Sequence, residues 1–93
     1  AWYWQGNAYY GLRDYKAAIS AFQQVPDKAP DHVKAPEALL SVANCQVELK
    51  QTTAARKTLE QLIKQYPKAE AAQAARDRLL TLAPSASGKR PAP

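Results

Sequence analysis

The residues with the chemistry for catalysis or metal binding are too few to form a site. The sequence has one histidine, His32, and one cysteine, Cys45. A single Cys and a single His cannot supply the four ligands of a structural zinc ion, and there is no Gly-rich phosphate-binding loop. We expect His32 to cap a helix start or to face solvent, and Cys45 to be a buried thiol rather than a nucleophile. The sequence therefore predicts neither an enzyme nor a bound cofactor or metal.

Binding chemistry is better represented, by two asparagines. Asn7 and Asn44 are 37 residues apart. An asparagine side chain both donates and accepts hydrogen bonds, which suits it to holding a peptide backbone in one direction. The alternative is that both amides are surface groups that face solvent. The choice depends on the elements that carry them.

The same 37-residue interval relates two sets of small and apolar residues. The first set is Trp2, Gly6, Ala18, Phe22 and Pro30, and the second is Leu39, Ala43, Ala55, Leu59 and Pro67. The first set is similar to the tetratricopeptide-repeat (TPR) pattern W-x₂-L-G-x₂-Y…A-x₃-F…P, in which each unit is a pair of helices. This resemblance predicts an all-α fold, a TPR helical solenoid of two helix pairs plus a C-terminal capping helix, with five helices in all.

Turn residues indicate where the first two helices end. Gly11 is expected to cap the end of the first helix. Asp14 is the predicted N-cap of the second helix. That helix should stop where Pro26 and Pro30 bracket a turn.

The second unit exceeds the usual 34-residue TPR period by three residues. We expect the additional residues between Asp31 and Pro36, where they would lengthen the third helix by about one turn. Thr52 is the predicted N-cap of the fourth helix. A third unit opens after Pro67 but lacks a second helix, so we interpret it as a capping helix.

These elements define the expected domain organisation. The TPR domain covers residues 1–82, with repeat 1 at about 1–30, repeat 2 at about 31–67 and the capping helix at about 69–82. Residues 83–93 have little to bury, so a disordered tail is expected. Because the sequence begins inside a repeat, targeting segments are expected upstream. A stack this short is expected to be marginal alone and to lean on upstream sequence or on self-association.

Composition favours a protein partner over a nucleic acid or a membrane. The net charge is +5, but acidic and basic residues are interspersed and no long block of like charges occurs. Most aromatic residues lie near the start and do not alternate with basic ones. No apolar run approaches 18 residues. We therefore predict neither nucleic-acid binding nor direct membrane insertion.

The resemblance to TPR proteins also implies a binding groove. In this family the first helix of each unit lines a concave face that binds peptides. Mapping the sequence onto that pattern predicts eight groove residues: Trp4, Asn7, Tyr10, Leu40, Ser41, Asn44, Val47 and Arg78. By the same mapping, Trp2 and Tyr9 are packing residues.

For two of the groove residues an alternative stays open. Trp4 and Tyr10 lie on the side of the first helix away from Trp2. They either anchor a ligand, as aromatic residues do at binding hot spots, or pack on upstream sequence. A clamp for a terminal carboxylate is disfavoured, because only Asn7 and Arg78 match the residues that such TPR clamps use.

Three longer segments resemble one particular family of TPR proteins. They are YKAAISAFQQV, HVKAPEALL and ARKTLEQLIKQYPKAEAAQAARDRL. Together with the 37-residue period, they resemble the C-terminal TPR domain of the YbgF/CpoB family of Tol–Pal system proteins, over about residues 1–82. The first repeat has Ala29-Pro30 where that family usually has Tyr-Pro, a departure that should not affect the fold.

This resemblance implies a location and a partner. Members of the family are periplasmic proteins of the Gram-negative cell envelope that bind TolA. They help to coordinate outer-membrane constriction with septal peptidoglycan synthesis in cell division, and an upstream helical segment makes them trimers. One alternative is a TPR scaffold of the outer-membrane protein assembly machinery, which shares the extended period but has more repeats. Another is a different peptide-binding TPR adaptor.

Overall fold

In the computed structural model, which describes residues 2–82, five α-helices follow one another and no β-strand occurs in that range. Their bounds are α1 Trp2–Gly11, α2 Tyr15–Lys28, α3 Ala35–Glu48, α4 Thr52–Gln65 and α5 Glu70–Thr81. Each helix packs on the next, and α5 also contacts α3. Packing between chain neighbours is typical of a helical solenoid, so the all-α prediction with five helices is confirmed. We refer to α1 and α2 as unit 1 and to α3 and α4 as unit 2.

The turn inside unit 1 is a Schellman motif. The backbone amide of Arg13 donates to the carbonyl of Tyr10 at 3.0 Å, and that of Asp14 donates to Tyr9 at 2.9 Å. Arg13 is the residue in the left-handed region, with φ of 63°. Gly11 is instead the last residue of α1. The prediction that Gly11 caps this helix is therefore wrong by two residues.

Unit 2 repeats this turn at the equivalent positions. The amide of Lys50 donates to the carbonyl of Val47 at 2.9 Å, and that of Gln51 donates to Gln46 at 2.8 Å. The φ angle of Lys50 is 66°, within a few degrees of its counterpart Arg13. The 37-residue period thus extends to the backbone conformation of the turns.

One predicted helix N-cap is confirmed and one is wrong. The carboxylate of Asp14 accepts a hydrogen bond from the amide of Ala17 at 3.3 Å, as an N-cap does. Thr52, however, is the first residue inside α4, and the cap position belongs to Gln51, whose side chain makes no capping bond. The Schellman turn after α3 already uses Gln51, so α4 can begin immediately after it.

Pro26 does not end the second helix. α2 continues through Pro26 to Lys28, so the predicted stop is wrong. Proline lacks one amide donor, and here the missing bond is the one to the carbonyl of Phe22 in the last turns of the helix. Pro26 is itself buried, so packing offsets the lost hydrogen bond. The helix closes with the amide of Ala29 donating to Val25 at 2.8 Å.

The additional residues of the second unit do not lengthen α3. That helix has 14 residues, the same as α2 and α4. Residues 29–34 form a connection of consecutive turns instead, in which the amide of His32 donates to Ala29 and that of Ala35 to His32, both at 2.9 Å. Pro36 lies in the first turn of α3, and its ring disfavours helix on its N-terminal side.

The core consists of two clusters on either side of α3. The first lies between α2 and α3 and contains Ala18, Phe22, Val25, Ala35, Ala38, Val42 and Cys45. The second joins α3, α4 and α5 and contains Leu39, Ala43, Leu59, Leu62, Ala71 and Ala75. Gly6 packs directly on the first cluster, because a Cβ atom built there would lie 2.6 Å from the ring of Phe22. Gly6 therefore allows α1 and α2 to approach closely.

Two residues predicted to pack in the core lie at the surface. Trp2 is 40% exposed and Tyr9 is 39% exposed, and both line an open depression between α1 and α2. The prediction that they are packing residues is wrong. One period later, Leu39 is fully buried because α4 and α5 supply its neighbours. No helix among residues 2–82 covers the same side of α1.

Two further points concern membrane spans and the C-terminal tail. No helix among residues 2–82 is long and apolar enough to cross a membrane. The predicted tail at 83–93 lies outside the described residues.

Candidate functional site

Four of the eight predicted groove residues line one cleft between α1 and α3. Asn7 and Tyr10 of α1 lie opposite Ser41 and Asn44 of α3, around a cavity of about 120 Å³. Phe22 of α2 also lines the cavity and was not among the predicted groove residues. We call this the asparagine cleft. Its volume is well below the ~300 Å³ of typical small-molecule pockets, so it suits part of a peptide better than a whole small-molecule substrate.

The two amides occupy the cleft because of the repeat. Asn7 and Asn44 are one period apart and take the same position on two successive first helices. A solenoid places such positions side by side on one face. Asn7 is exposed and Asn44 is half-buried. Together they offer two carbonyl acceptors and two NH₂ donors to anything that enters the cleft.

Tyr10 is the titratable residue of the asparagine cleft, and its surroundings shift its pKa. Burial raises the pKa of the Tyr10 hydroxyl, and the carboxylate of Glu48 raises it further, whereas the positive charge of Arg78 opposes the shift. Tyr10 therefore stays protonated and can both donate and accept a hydrogen bond at neutral pH. Its ring is held against that of Tyr15, edge to face, with centroids 5.4 Å apart. Arg78 of α5 does not line the asparagine cleft, and its effect is the smallest of the influences on the Tyr10 pKa.

Leu40 and Val47, the two aliphatic residues among the predicted groove residues, lie outside the asparagine cleft. Both are half-buried, and neither lines the asparagine cleft. Leu40 packs against the second core cluster. It therefore contributes to the packing of unit 2 as well as to the predicted groove.

Trp4 is not brought together with Asn7 in the cleft. Its side chain is 65% exposed and lines a separate cavity at the start of α1. Its ring meets that of Tyr3 edge to face, with centroids 5.4 Å apart. The two aromatic groove candidates on α1 therefore line different cavities. Tyr10 lines the asparagine cleft, and Trp4 lines the cavity at the start of α1.

A polar bridge between α1 and α3 was not predicted as a unit. The hydroxyl of Tyr3 donates to a carboxylate oxygen of Glu37 at 3.3 Å, and the same oxygen receives Lys34 Nζ at 3.3 Å. Lys34 Nζ also lies 5.2 Å from the centre of the Tyr3 ring, a cation–π geometry. The three residues connect the two units beside the groove. The i,i+3 spacing of Lys34 and Glu37 is the one sequence signal for it.

The two residues with reactive side chains behave as the sequence predicts. Cys45 is fully buried, and burial raises the pKa of its thiol to about 11, with a smaller contribution from Glu48. A thiol that stays protonated at neutral pH is a poor nucleophile. His32 Nδ1 accepts a hydrogen bond from the amide of Lys34 at 3.0 Å, so it stabilises the turn before α3. Within residues 2–82, no group of His, Cys, Asp or Glu residues is arranged to hold a metal ion.

Comparison with known families adds one finding. A family model described as tetratricopeptide repeat matches residues 9–79, which include all of α2, both helices of unit 2 and most of α5. No curated protein matches the chain.

Proposed function

Because the chain belongs to the tetratricopeptide-repeat family, we propose that it is a non-enzymatic module that binds a protein partner through the groove formed by α1, α3 and α5. Proteins of this family generally serve in protein–protein interactions. The observation that carries the proposal is the asparagine cleft, in which two amides one repeat apart line the same cavity.

The cleft suits the main chain of a bound peptide. Each asparagine can accept from a peptide N–H and donate to a peptide carbonyl, so two of them fix both the direction and the register of the segment. Tyr10 and Ser41 add hydroxyl groups within the same cavity. Arg78 and Glu48 carry opposite charges near Tyr10, which would orient a charged partner side chain.

We propose further that the partner is TolA. The support is the resemblance of residues 1–82 to the C-terminal TPR domain of the YbgF/CpoB family. On this proposal the module works in the periplasm of a Gram-negative bacterium. It would help to coordinate outer-membrane constriction with septal peptidoglycan synthesis during cell division.

A titration with TolA tests the groove and the partner together. The variant is the double substitution Asn7→Ala/Asn44→Ala. The matched control is Gln61→Ala/Gln65→Ala, which removes two exposed amides of α4 that hydrogen-bond to each other at 3.3 Å. Each lost hydrogen bond costs about 0.5–1.5 kcal/mol. We therefore expect the Asn7/Asn44 variant to bind at least ~10-fold more weakly, and the control to bind like the wild type.

The outcomes separate the parts of the proposal. If the folded Asn7/Asn44 variant keeps full affinity, the groove assignment is wrong. If the wild type does not bind TolA, the partner is wrong, and a scaffold of the outer-membrane assembly machinery or another peptide-binding adaptor becomes the better reading. Melting curves of all three proteins establish that they are folded.

A further inference from the structure

A second cavity lies at the start of α1, apart from the asparagine cleft. Its volume is about 210 Å³, and its lining residues are Trp2, Tyr3, Trp4, Val25, Ala29 and His32. Three of its walls are the aromatic side chains of the first turn of α1. We call it the aromatic cavity. Nothing in the groove proposal uses it.

The period of the chain shows what occupies the equivalent place in unit 2. Adding 37 to each lining residue gives Leu39, Leu40, Ser41, Leu62, Tyr66 and Ala69. Tyr66 therefore stands in unit 2 where Ala29 stands in unit 1. The ring of Tyr66 packs against both core clusters, and its hydroxyl donates to the carbonyl of Pro30 at 2.7 Å. Unit 1 lacks a ring at this position, and the cavity lies beside Ala29.

The two positions differ in side chain and not in backbone. Ala29 has φ of −142° and ψ of 67°, and Tyr66 has φ of −130° and ψ of 60°. Each is the C-cap of the second helix of its unit, and each amide donates at 2.8 Å to the carbonyl four residues earlier. A tyrosine at position 29 would therefore leave the backbone in the direction that Tyr66 takes.

We propose that the aromatic cavity binds an aromatic side chain, of the tyrosine type, presented by a protein partner. A cavity of about 150 Å³ is enough to hold benzene, so this one has room for a phenol ring. Trp2, Tyr3 and Trp4 offer ring faces and edges, which pair with a further aromatic ring in offset or edge-to-face geometry. His32 Nδ1 already accepts a hydrogen bond from the amide of Lys34, so the other ring nitrogen, Nε2, is the one that can donate to a phenolic oxygen.

The cavity lies about one helical turn away from the asparagine cleft along α1. Trp4 precedes Asn7 by about one helical turn, and those two residues line the aromatic cavity and the asparagine cleft. A peptide whose main chain lies in the cleft can therefore place one ring in the cavity. The inference rests on the proposed function in that the ring belongs to a protein partner.

The test uses two blocked tripeptides as probes, acetyl-Gly-Tyr-Gly-amide and acetyl-Gly-Leu-Gly-amide. Trp2 and Trp4 are the only tryptophans in the sequence, so their two indole N–H signals in NMR spectra report on the cavity directly. We expect the tyrosine peptide to shift both signals, with a Kd on the order of millimolar, and the leucine peptide to bind at least ~10-fold more weakly. The Ala29→Tyr variant, which supplies the ring from the chain itself, should abolish these shifts.

The groove variant distinguishes the two proposals. In Asn7→Ala/Asn44→Ala the tyrosine peptide should shift the indole signals as in the wild type, whatever happens to TolA binding. Absence of any indole shift in the wild type overturns the inference. So does equal binding of the two peptides, or peptide binding that survives Ala29→Tyr. Indole signals that move with protein concentration alone would mean that a second copy fills the cavity, and the inference would be wrong.

Discussion

Units 1 and 2 have the same pattern of buried core residues, but they differ in which helices cover their outer faces. The ring of Phe22 and the side chain of Leu59, one period apart, are both essentially buried. Both units place a small residue, Gly6 or Ala43, where the paired helices meet. Leu39 of unit 2 has no exposed surface, whereas its counterpart Trp2 is 40% exposed.

The difference shows that burial in this fold depends on neighbours as much as on residue type. α3 lies between α2 on one side and α4 and α5 on the other, so most of its apolar positions become core. α1 contacts chiefly α2, and its aromatic residues remain at the surface. Small and apolar positions that agree between the units therefore report the fold. A position where the units differ, Ala29 against Tyr66, lies beside the aromatic cavity.

The largest expected effect comes from truncating the shared core. Phe22→Ala should lower the free energy of unfolding by about 3–5 kcal/mol and Leu59→Ala by about 2–5 kcal/mol, because each leaves a cavity between packed helices. Small domains are typically stable by only about 5–15 kcal/mol, so either truncation should remove a large share of the free energy of unfolding. Urea denaturation followed by circular dichroism measures this.

The control for this prediction is Trp2→Ala. The tryptophan is larger than either core residue, but it is partly exposed, so its loss should cost clearly less than that of Phe22. A Trp2→Ala variant as unstable as Phe22→Ala would contradict the distinction between shared core and open face.

Most of the fold follows from the sequence because it depends on repeated local signals. The period locates the helices, and Gly6 and Asp14 perform the roles that their residue types indicate. The failures have a different cause. Pro26 stays inside α2 because it is buried, and Trp2 is at the surface because no described helix covers it. Neither outcome is encoded in the spacing of residues within one helix.

The candidate site could be predicted only in part, for a similar reason. Asn7 and Asn44 meet because a repeat aligns equivalent positions. Trp4 separates from them into its own cavity, since the space beside it depends on the absence of a large side chain at Ala29. The sequence already has Ala29 where unit 2 has Tyr66, but only the structure shows that a cavity lies beside Ala29.

A smaller effect is expected from exchanging the small residues at the helix contacts. Gly6→Ala should cost about 1–3 kcal/mol in overpacking, because the new Cβ would lie 2.6 Å from the ring of Phe22. Alanine gains about 1 kcal/mol in helix propensity, so we expect a net destabilisation of up to about 2 kcal/mol. The reverse change in unit 2, Ala43→Gly, should also destabilise, by about 1 kcal/mol for the helix propensity and about 0.8 kcal/mol for the buried methyl group that is lost.

Thermal or urea unfolding of the two variants shows whether each unit is most stable with its own small residue at the helix contact. A Gly6→Ala variant more stable than the wild type would show that Phe22 can move aside. In that case α1 and α2 are not held at close distance by the glycine, and the two units share less of their packing than the equivalent positions indicate.

The smallest expected effect concerns the turns, where the two units should behave alike. Arg13 and Lys50 have φ of 63° and 66°, a region that costs a non-glycine residue about 1–2 kcal/mol. Glycine removes this strain but adds freedom to the unfolded chain, which offsets about 0.4–1 kcal/mol. Arg13→Gly and Lys50→Gly should therefore each stabilise the domain by about 0.5 kcal/mol, to the same extent in both units.

Lys57→Gly, at an exposed position inside α4, is the control and should cost about 1 kcal/mol. Unequal effects at Arg13 and Lys50 in urea unfolding would mean that the turns, like the outer faces, respond to what surrounds each unit.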